Sequence, residues 1–492
     1  MTALFAQPVQ SKTSLPITQG SFTAFTRDIL GHLFDLHEQH GPIAALEENG
    51  QKVVFLFDPV YNKQVLSDST TYEAHFFAIR GPRRSSQRRV TCGLLAMNGD
   101  QHRRNRRMVK EPFSLKAIAS YSQAVDELID QQVARWRVGQ RFDLNAEMTR
   151  FMLGVTSSIL FGLDNYDEAY ELGEQIAHWV TLTHNIGAGA LVPCTEFNER
   201  YEELLDFAEV LEASVMRMIE QRRRDSTPGR DVLSILVRSF DEEGGLSDEE
   251  LVGQACVLFG AAHMTTAHSL TWTLSLLAQH PRVAQRLWNE GVQLAPPAAH
   301  GCPFAAQAAQ TAPADAAAAM PLVDRVIKES MRVLPASAYS QRVTAAAVKL
   351  GPFDLPRGTP IVFTPLITHR LPDLYPDPKK FDPDRWLTIK PGAYEYHPFG
   401  AGNRMCIGGP LAMQILRSAI PRFLQHFRFE IDPGAEVDAE VMSTMLNPKH
   451  GVPVTLREAD GTFASTPITG NVTELVDLPR PERVTAAPKL PR

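Results

Sequence analysis

Along most of this chain apolar residues recur at the three-to-four residue spacing of helices, and two stretches break that rhythm. The first, Ile43–Leu46 and Val53–Phe57, flanks a turn containing Asn49-Gly50. Asn-Gly between apolar runs predicts a β-hairpin, because both residues tolerate positive φ. The second is Gln341–Phe363, where Ala345–Leu350 and Pro360–Phe363 read as strands around turns at Gly351-Pro352 and Arg357-Gly358. Small sheets beside a mainly helical body are the expectation. One helix opens at Ser247-Asp248-Glu249-Glu250, a Ser-x-x-Glu capping box, and runs without proline to His280. At 1.5 Å per residue it spans roughly 48 Å, enough to cross a domain. Its middle, Gly260-Ala261-Ala262, is a notch poor in side chains, suited to a packed helix or to a flat group lying against it. A second helix covers Leu322–Leu334 and stops at Pro335, with Glu329 and Arg332 three apart on one face.

Two segments lack a period. Leu294–Met320 is dense in Ala and Pro with hardly any charge, and reads as a surface insertion. Beyond about Glu458 the chain is rich in Pro and Thr, and packing across the surface and mobility are both open. The 492 residues are 44% hydrophobic and 21% charged, a globular balance that excludes a disordered chain. Net charge is -7, so no basic excess points to a nucleic-acid partner. Five scattered cysteines, an odd number, do not form a disulfide framework and suit a reducing cytoplasm. The opening residues are too polar and proline-broken for a signal peptide, and no window nears ~18 uninterrupted apolar residues, so no membrane anchor is expected.

The chemistry concentrates in His397-Pro398-Phe399-Gly400-Ala401-Gly402-Asn403-Arg404-Met405-Cys406-Ile407-Gly408-Gly409-Pro410, ahead of the helical run LAMQILRSAI. A cysteine just before a helix meets unpaired N–H groups and the positive dipole end, which favour its thiolate. The glycines let the backbone turn sharply and come close to whatever the sulfur binds. With no partner cysteine or histidine cluster nearby, a structural zinc site is not expected. A lone thiolate beside Arg404 suits a large anionic cofactor approached from one side. The rival is a catalytic thiol, for which His397, set in a His-Pro-Phe turn, is a poor base.

Phe399, Gly402, Arg404, Cys406 and Gly408 spell F-x-x-G-x-R-x-C-x-G, which resembles the haem-ligand loop of the cytochromes P-450, the haem-thiolate monooxygenases. Glu329-x-x-Arg332 resembles that family's Glu-x-x-Arg helix, and Phe381–Trp386, with Arg385, the segment that completes its ion-pair network. His102-x-x-x-Arg106 and Arg342 stand where propionate partners are expected, and the order of these pieces fits from about residue 20 to about 457. The resemblance implies a mainly α protein with small β-sheets, the cytochrome P-450 fold, built as one large haem domain over residues 1–458. That domain includes the 294–320 insertion, and a C-terminal extension, 459–492, follows it. It implies haem b as cofactor and Cys406 as axial ligand, pushing electron density onto the iron. Arg404, His102, Arg106 and Arg342 would pair with propionates, Phe399, Gly400 and Gly408 would surround the sulfur, and Glu329, Arg332 and Arg385 would be structural.

The long helix departs from the family's oxygen-activation motif, usually Ala/Gly-Gly-x-Asp/Glu-Thr-Thr/Ser. This chain reads Ala261-Ala262-His263-Met264-Thr265-Thr266. Thr265 and Thr266 are the catalytic candidates, Thr265 as a hydroxyl that relays a proton. Met264 replaces the acid, and a thioether delivers no proton. Ordered water or the substrate, His263 or His268, or a chemistry needing fewer protons are the open explanations, the first preferred. From family layout, Phe76, Phe77 and Ile79 would form a lid. Leu258, Phe259, Ala262 and Ala336–Ser340, Ala338 among them, would line the pocket, and Thr181–Pro193, with Gly187 and Gly189, its roof. Arg80, Arg83, Arg84, Arg88 and Arg89 form a basic cluster, read as a solvated face or an anion-binding entrance. Arg103, Arg104, Arg107 and Lys110 would face an acidic electron-transfer partner. No flavin, nicotinamide or iron–sulfur motif is present, so a separate ferredoxin or flavodoxin-type donor is expected. The function expected is insertion of one oxygen atom from dioxygen into a lipophilic small molecule, a natural product or lipid. Two alternatives stay open: an atypical haem-thiolate chemistry (oxidative coupling, dehydration, peroxide or nitric oxide), motivated by Met264, and a non-catalytic haem sensor or scaffold.

Overall fold

The capping box at Ser247 forms as its sequence dictates: the Ser247 hydroxyl accepts from Glu250 N, and the Glu250 carboxylate accepts from Ser247 N at 2.9 Å. The helix it starts, Asp248–Gln279, runs through the middle of the protein. Around it pack Leu144–Phe161, Tyr166–Gly187, Leu322–Val333 and Gly409–His426. This computed structural model describes residues 14–74, 79–162, 165–187, 195–225, 229–241, 246–294 and 320–485. One continuous apolar core joins residues from Ile29 to Val476, and a smaller one lies under the largest sheet. No helix among the described residues is long and apolar enough to cross a membrane.

The Asn49-Gly50 turn closes a hairpin of Ile43–Glu48 and Gln51–Leu56, with φ of 52° and 79° at the two turn residues. That hairpin belongs to a six-stranded sheet, in the order Ile17–Gln19, Ile43–Glu48, Gln51–Leu56, Pro360–Phe363, Ser340–Thr344, Tyr72–Ala74. Ala345–Leu350 is not a strand throughout: among the described residues Val348–Leu350 pairs only with Phe353–Leu355. The strand that enters the sheet is the polar Ser340–Thr344, between Pro360–Phe363 and Tyr72–Ala74. It carries Arg342 into the interior. Of the Ala/Pro-rich insertion, 295–319 lie outside the described residues, between the helix Pro281–Leu294 and Leu322–Val333. Residues 459–485 fold back on the body: Thr462–Ala464 pairs with Arg483–Thr485, Val472, Leu475 and Val476 are buried, and Asp477 N donates to Lys379 O.

Candidate functional site

Three elements build the site. The cysteine loop approaches the end of the helix Pro59–Ser67 so closely that a Cβ on Gly402, whose φ is 69°, would lie 2.0 Å from Leu66 O. Only glycine fits there. Gly400 also has positive φ, 67°, and Gly400 N donates to His397 O. The loop folds back on itself through Cys406 N, which donates to Phe399 O at 2.8 Å, and the Phe399 ring lies against Gly409. At the mouth of the helix Gly409–His426 the Cys406 sulfur accepts from Gly408 N and Gly409 N. Burial pushes the thiol's pKa up, while those two N–H groups and Arg106 pull it down. Cys406 carries exposed surface, yet protein atoms surround it. Its free side therefore faces an internal space, not bulk solvent.

The second element is a group of basic residues from separate parts of the chain. His102 and Arg106 lie on the helix Gly99–Val109, Arg342 on the strand Ser340–Thr344, and Arg404 in the cysteine loop. Burial and then the charges of Arg404, Arg106 and Arg342 press the His102 pKa down to about 4. Burial followed by Arg404 brings Arg342 down to about 10, and burial followed by Arg106 brings Arg404 to about 10. Each therefore feels the positive charge of a neighbouring arginine. Glu73 acts on Arg404, but no carboxylate among the described residues forms a salt bridge with any of the four. Arg342 donates to Gln341 O and Arg106 to Met405 O, and the buried Nε of Arg404 has no partner. Three clustered, half-satisfied arginines with the neutral His102 beside them suit a ligand that brings carboxylates. Asn98, which sequence reasoning passed over, braces the group: its Oδ1 accepts from Arg404 and from Ala74 N, and its Nδ2 donates to Ala74 O. An Asn ahead of a helix was its only signal.

The long helix supplies the third element. It is buried at every position from Leu251 to Phe259 and from Thr266 to Gln279. In between, Ala261 is exposed and Gly260, Ala262, Met264 and Thr265 are part-exposed, so the notch opens onto free space in the protein's interior. Thr265 Oγ1 donates to Ala261 O at 2.8 Å, which leaves the oxygen's lone pairs available. Thr266, one residue on, is buried. The helix Gly409–His426 packs on this one, so the open notch and the sulfur-bearing loop belong to neighbouring elements. A flat dianionic group with a metal that takes a thiolate fits these residues.

The expected pocket lining fares unevenly. Phe259 is fully buried and stacks on Phe161, ring centroids 5.7 Å apart. Lying about 120° round the helix from Thr265, it is a packing residue and not a wall of the pocket. Ala338 is also fully buried, its N–H given to Thr444 O and its carbonyl taken by Thr364, so it fixes its segment without opening on the site. Ala262 stays part-exposed and Leu258 is buried. Phe76 and Phe77 lie outside the described residues, as do 188–194 of the expected roof; 181–187 end the helix Tyr166–Gly187. The basic cluster divides: Arg89 pairs with Glu212, Arg80 donates to Ala96 O, and Arg83, Arg84 and Arg88 are exposed.

Behind the cysteine loop, Glu329 is fully buried between Arg332 and Arg385. Its two oxygens accept from Arg332 Nε and Nη2, Arg385 Nε, Trp386 Nε1 and Asp382 N, each at 2.9–3.0 Å. Arg332 Nη1 continues to His369 O, and His369 Nε2 accepts from His397 N, the start of the loop. His397 is thus buried behind the loop and is no base for the thiol.

The cytochrome P450 family model matches residues 10–454 of this chain. Pentalenene oxygenase of Streptomyces avermitilis is 31% identical over 370 residues, 73% of this chain and 78% of that protein. Cyclooctat-9-en-7-ol 5-monooxygenase of Streptomyces melanosporofaciens is 28% identical over 409 residues, 80% of this chain and 84% of that protein. Among solved structures, the retinoic acid-bound cyanobacterial CYP120A1 superposes with a TM-score of 0.73 at 22% identity, over 90% of this chain and all of that one. The chain belongs to the cytochrome P450 family and is an oxidoreductase of its monooxygenase kind.

Proposed function

We propose that this enzyme inserts one oxygen atom from dioxygen into a lipophilic natural product of terpenoid type, as part of secondary metabolism in the cytoplasm. The observation that carries the reading is Cys406, whose sulfur takes two backbone N–H groups at a helix mouth near three arginines without a salt-bridge partner and the neutral His102. Haem b, the cofactor assigned here, supplies the iron on which dioxygen is activated. Cys406 would ligate that iron, with Gly408 N and Gly409 N favouring its thiolate against the burial that raises its pKa. Arg404, Arg342, Arg106 and His102 would take the two propionates, with Phe399 and Gly400 shaping the sulfur's surroundings. Thr265 holds a proton at Oγ1 above the notch, and Ala262 keeps the space there free. The terpenoid class is supported by two relatives whose names specify pentalenene and a cyclooctatenol as substrates. Electrons would come from a separate ferredoxin or flavodoxin-type donor, for which the exposed Arg107 and Lys110 offer a positive face. The haem domain is assigned to residues 1–458, with 459–492 as an extension.

The test begins with pentalenene and other polycyclic terpene hydrocarbons, screened for a spin-state change of the haem, followed by turnover under isotopically labelled dioxygen. Labelled oxygen in the product supports the reading; an oxidised product without label from dioxygen refutes it. A second reading, a haem-thiolate enzyme of atypical chemistry, is favoured by Met264, and an unlabelled coupled or dehydrated product is its signature.

A further inference from the structure

The residue one turn beyond Thr265 has no assigned role. His268 lies three residues after Thr265 and four after Met264, the spacings at which helical side chains are neighbours. It is 1% exposed, and neither ring nitrogen has a hydrogen-bond partner. A buried polar group left in this state opposes folding, so its presence asks for a use. The other histidine of this segment is already committed. His263 Nε2 meets Thr149 O of the helix Leu144–Phe161 at 3.0 Å, which turns its ring about 140° round the helix from His268. The titratable neighbours of His268 are His263 and His184, the latter part-buried on the helix Tyr166–Gly187. Burial first, and then those two rings, keep His268 neutral, with one nitrogen bearing hydrogen and the other bare.

We propose that His268 is the proton-relay residue of this enzyme, acting through Thr265 in place of the carboxylic acid that Met264 displaces. This rests on the monooxygenase reading above. Thr265 gives its own hydrogen to Ala261 O and keeps its lone pairs free; no His268 nitrogen touches it in this structure, so a turn of the ring is what brings the His268 N–H to that oxygen. In the relay the ring nitrogen releases its proton to Thr265 Oγ1, whose original proton moves on into the space above the notch. The bare nitrogen takes a proton from solvent hydronium arriving past His184, and the ring ends neutral in the opposite tautomer. No electrons move. A neutral ring suits this task better than a charged one, because both its nitrogens are engaged in a single pass.

The full-length haem protein, reduced under carbon monoxide, tests the proposal without a substrate. Infrared spectra would compare the C–O stretch of the wild type with those of His268→Phe, His268→Leu and Thr265→Ala. A relay that reaches the distal space places a hydrogen-bond donor near the carbon monoxide. The stretch should then rise, by a resolved shift, in each of the three variants. Thermal melting of His268→Phe should be unchanged or higher, since an unpartnered polar ring is replaced by an apolar one. An identical stretch in wild type and both His268 variants overturns the proposal. So does loss of haem or folding in both, which would make His268 a packing residue. A wild type lacking the thiolate-specific Soret band of the carbon monoxide complex would sink the haem-thiolate reading itself, and this inference with it.

Discussion

Replacing Glu329 by Gln removes one negative charge and keeps the shape, so the cost isolates the electrostatics of the buried network. The carboxylate accepts five hydrogen bonds, three of them from two arginines. Arg332 has no exposed side-chain surface, and Arg385 has 7%. Breaking one buried ion pair typically costs about 3–5 kcal/mol, because a charge is left uncompensated out of water. Here two cations share one anion, and an amide would also point N–H groups at them, so about 4 kcal/mol or more is expected. Against a net stability of about 5–15 kcal/mol, that is a large fraction. The loss should also be felt at the cysteine, through Arg332, His369 and His397. Urea unfolding of the haem-free protein followed by tryptophan fluorescence is the assay, and Trp386, bonded to Glu329, reports locally. A control replaces Glu329, Arg332 and Arg385 together by Met; removing all the charges should cost less than removing one. A Glu329→Gln variant within about 1 kcal/mol of the wild type would refute the reasoning.

Three further outcomes are expected. Cys406→Ser should fold but lose the thiolate-specific Soret band of the reduced carbon monoxide complex; retention of the band would remove Cys406 as the ligand. Gly402→Ala places a Cβ against Leu66 O at a left-handed φ, so it should destabilise by more than the about 1–3 kcal/mol of backbone strain alone, and thermal melting together with haem retention checks it. Burial brings His397 down to about 4, and burial with His263 and His184 does the same for His268. The unfolded chain therefore binds protons below its value of about 6.5 that the native state refuses, and stability falls as pH drops from there toward 4, by up to about 1.4 kcal/mol per unit for each ring. Unfolding midpoints that stay flat between pH 7 and 4.5 would contradict this.

How far the sequence could be read follows from how local each feature is. The cysteine loop was legible because its requirements act within a dozen residues: left-handed turns at Gly400 and Gly402, and a cysteine sulfur at a helix mouth. The Asn49-Gly50 hairpin was legible for the same reason. Arg342 could be placed only by resemblance, since its strand is polar in composition and becomes interior because Pro360–Phe363 and Tyr72–Ala74 cover it on both edges. The tail, 459–485, gave no period because a few separate residues, Phe463, Val472, Leu475 and Val476, bury against surfaces remote in the chain. The long helix shows the limit most directly. Buried on nearly every side, it has no amphipathic phase, so nothing in its pattern says which way a given side chain points. The sequence therefore reads Phe259 as a pocket wall and leaves His263 and His268 as equals. Their separation needed a single carbonyl, Thr149 O, contributed by another helix. Where burial is complete, the chemistry of a residue is set by its neighbours' backbone, and that information is absent from its own segment.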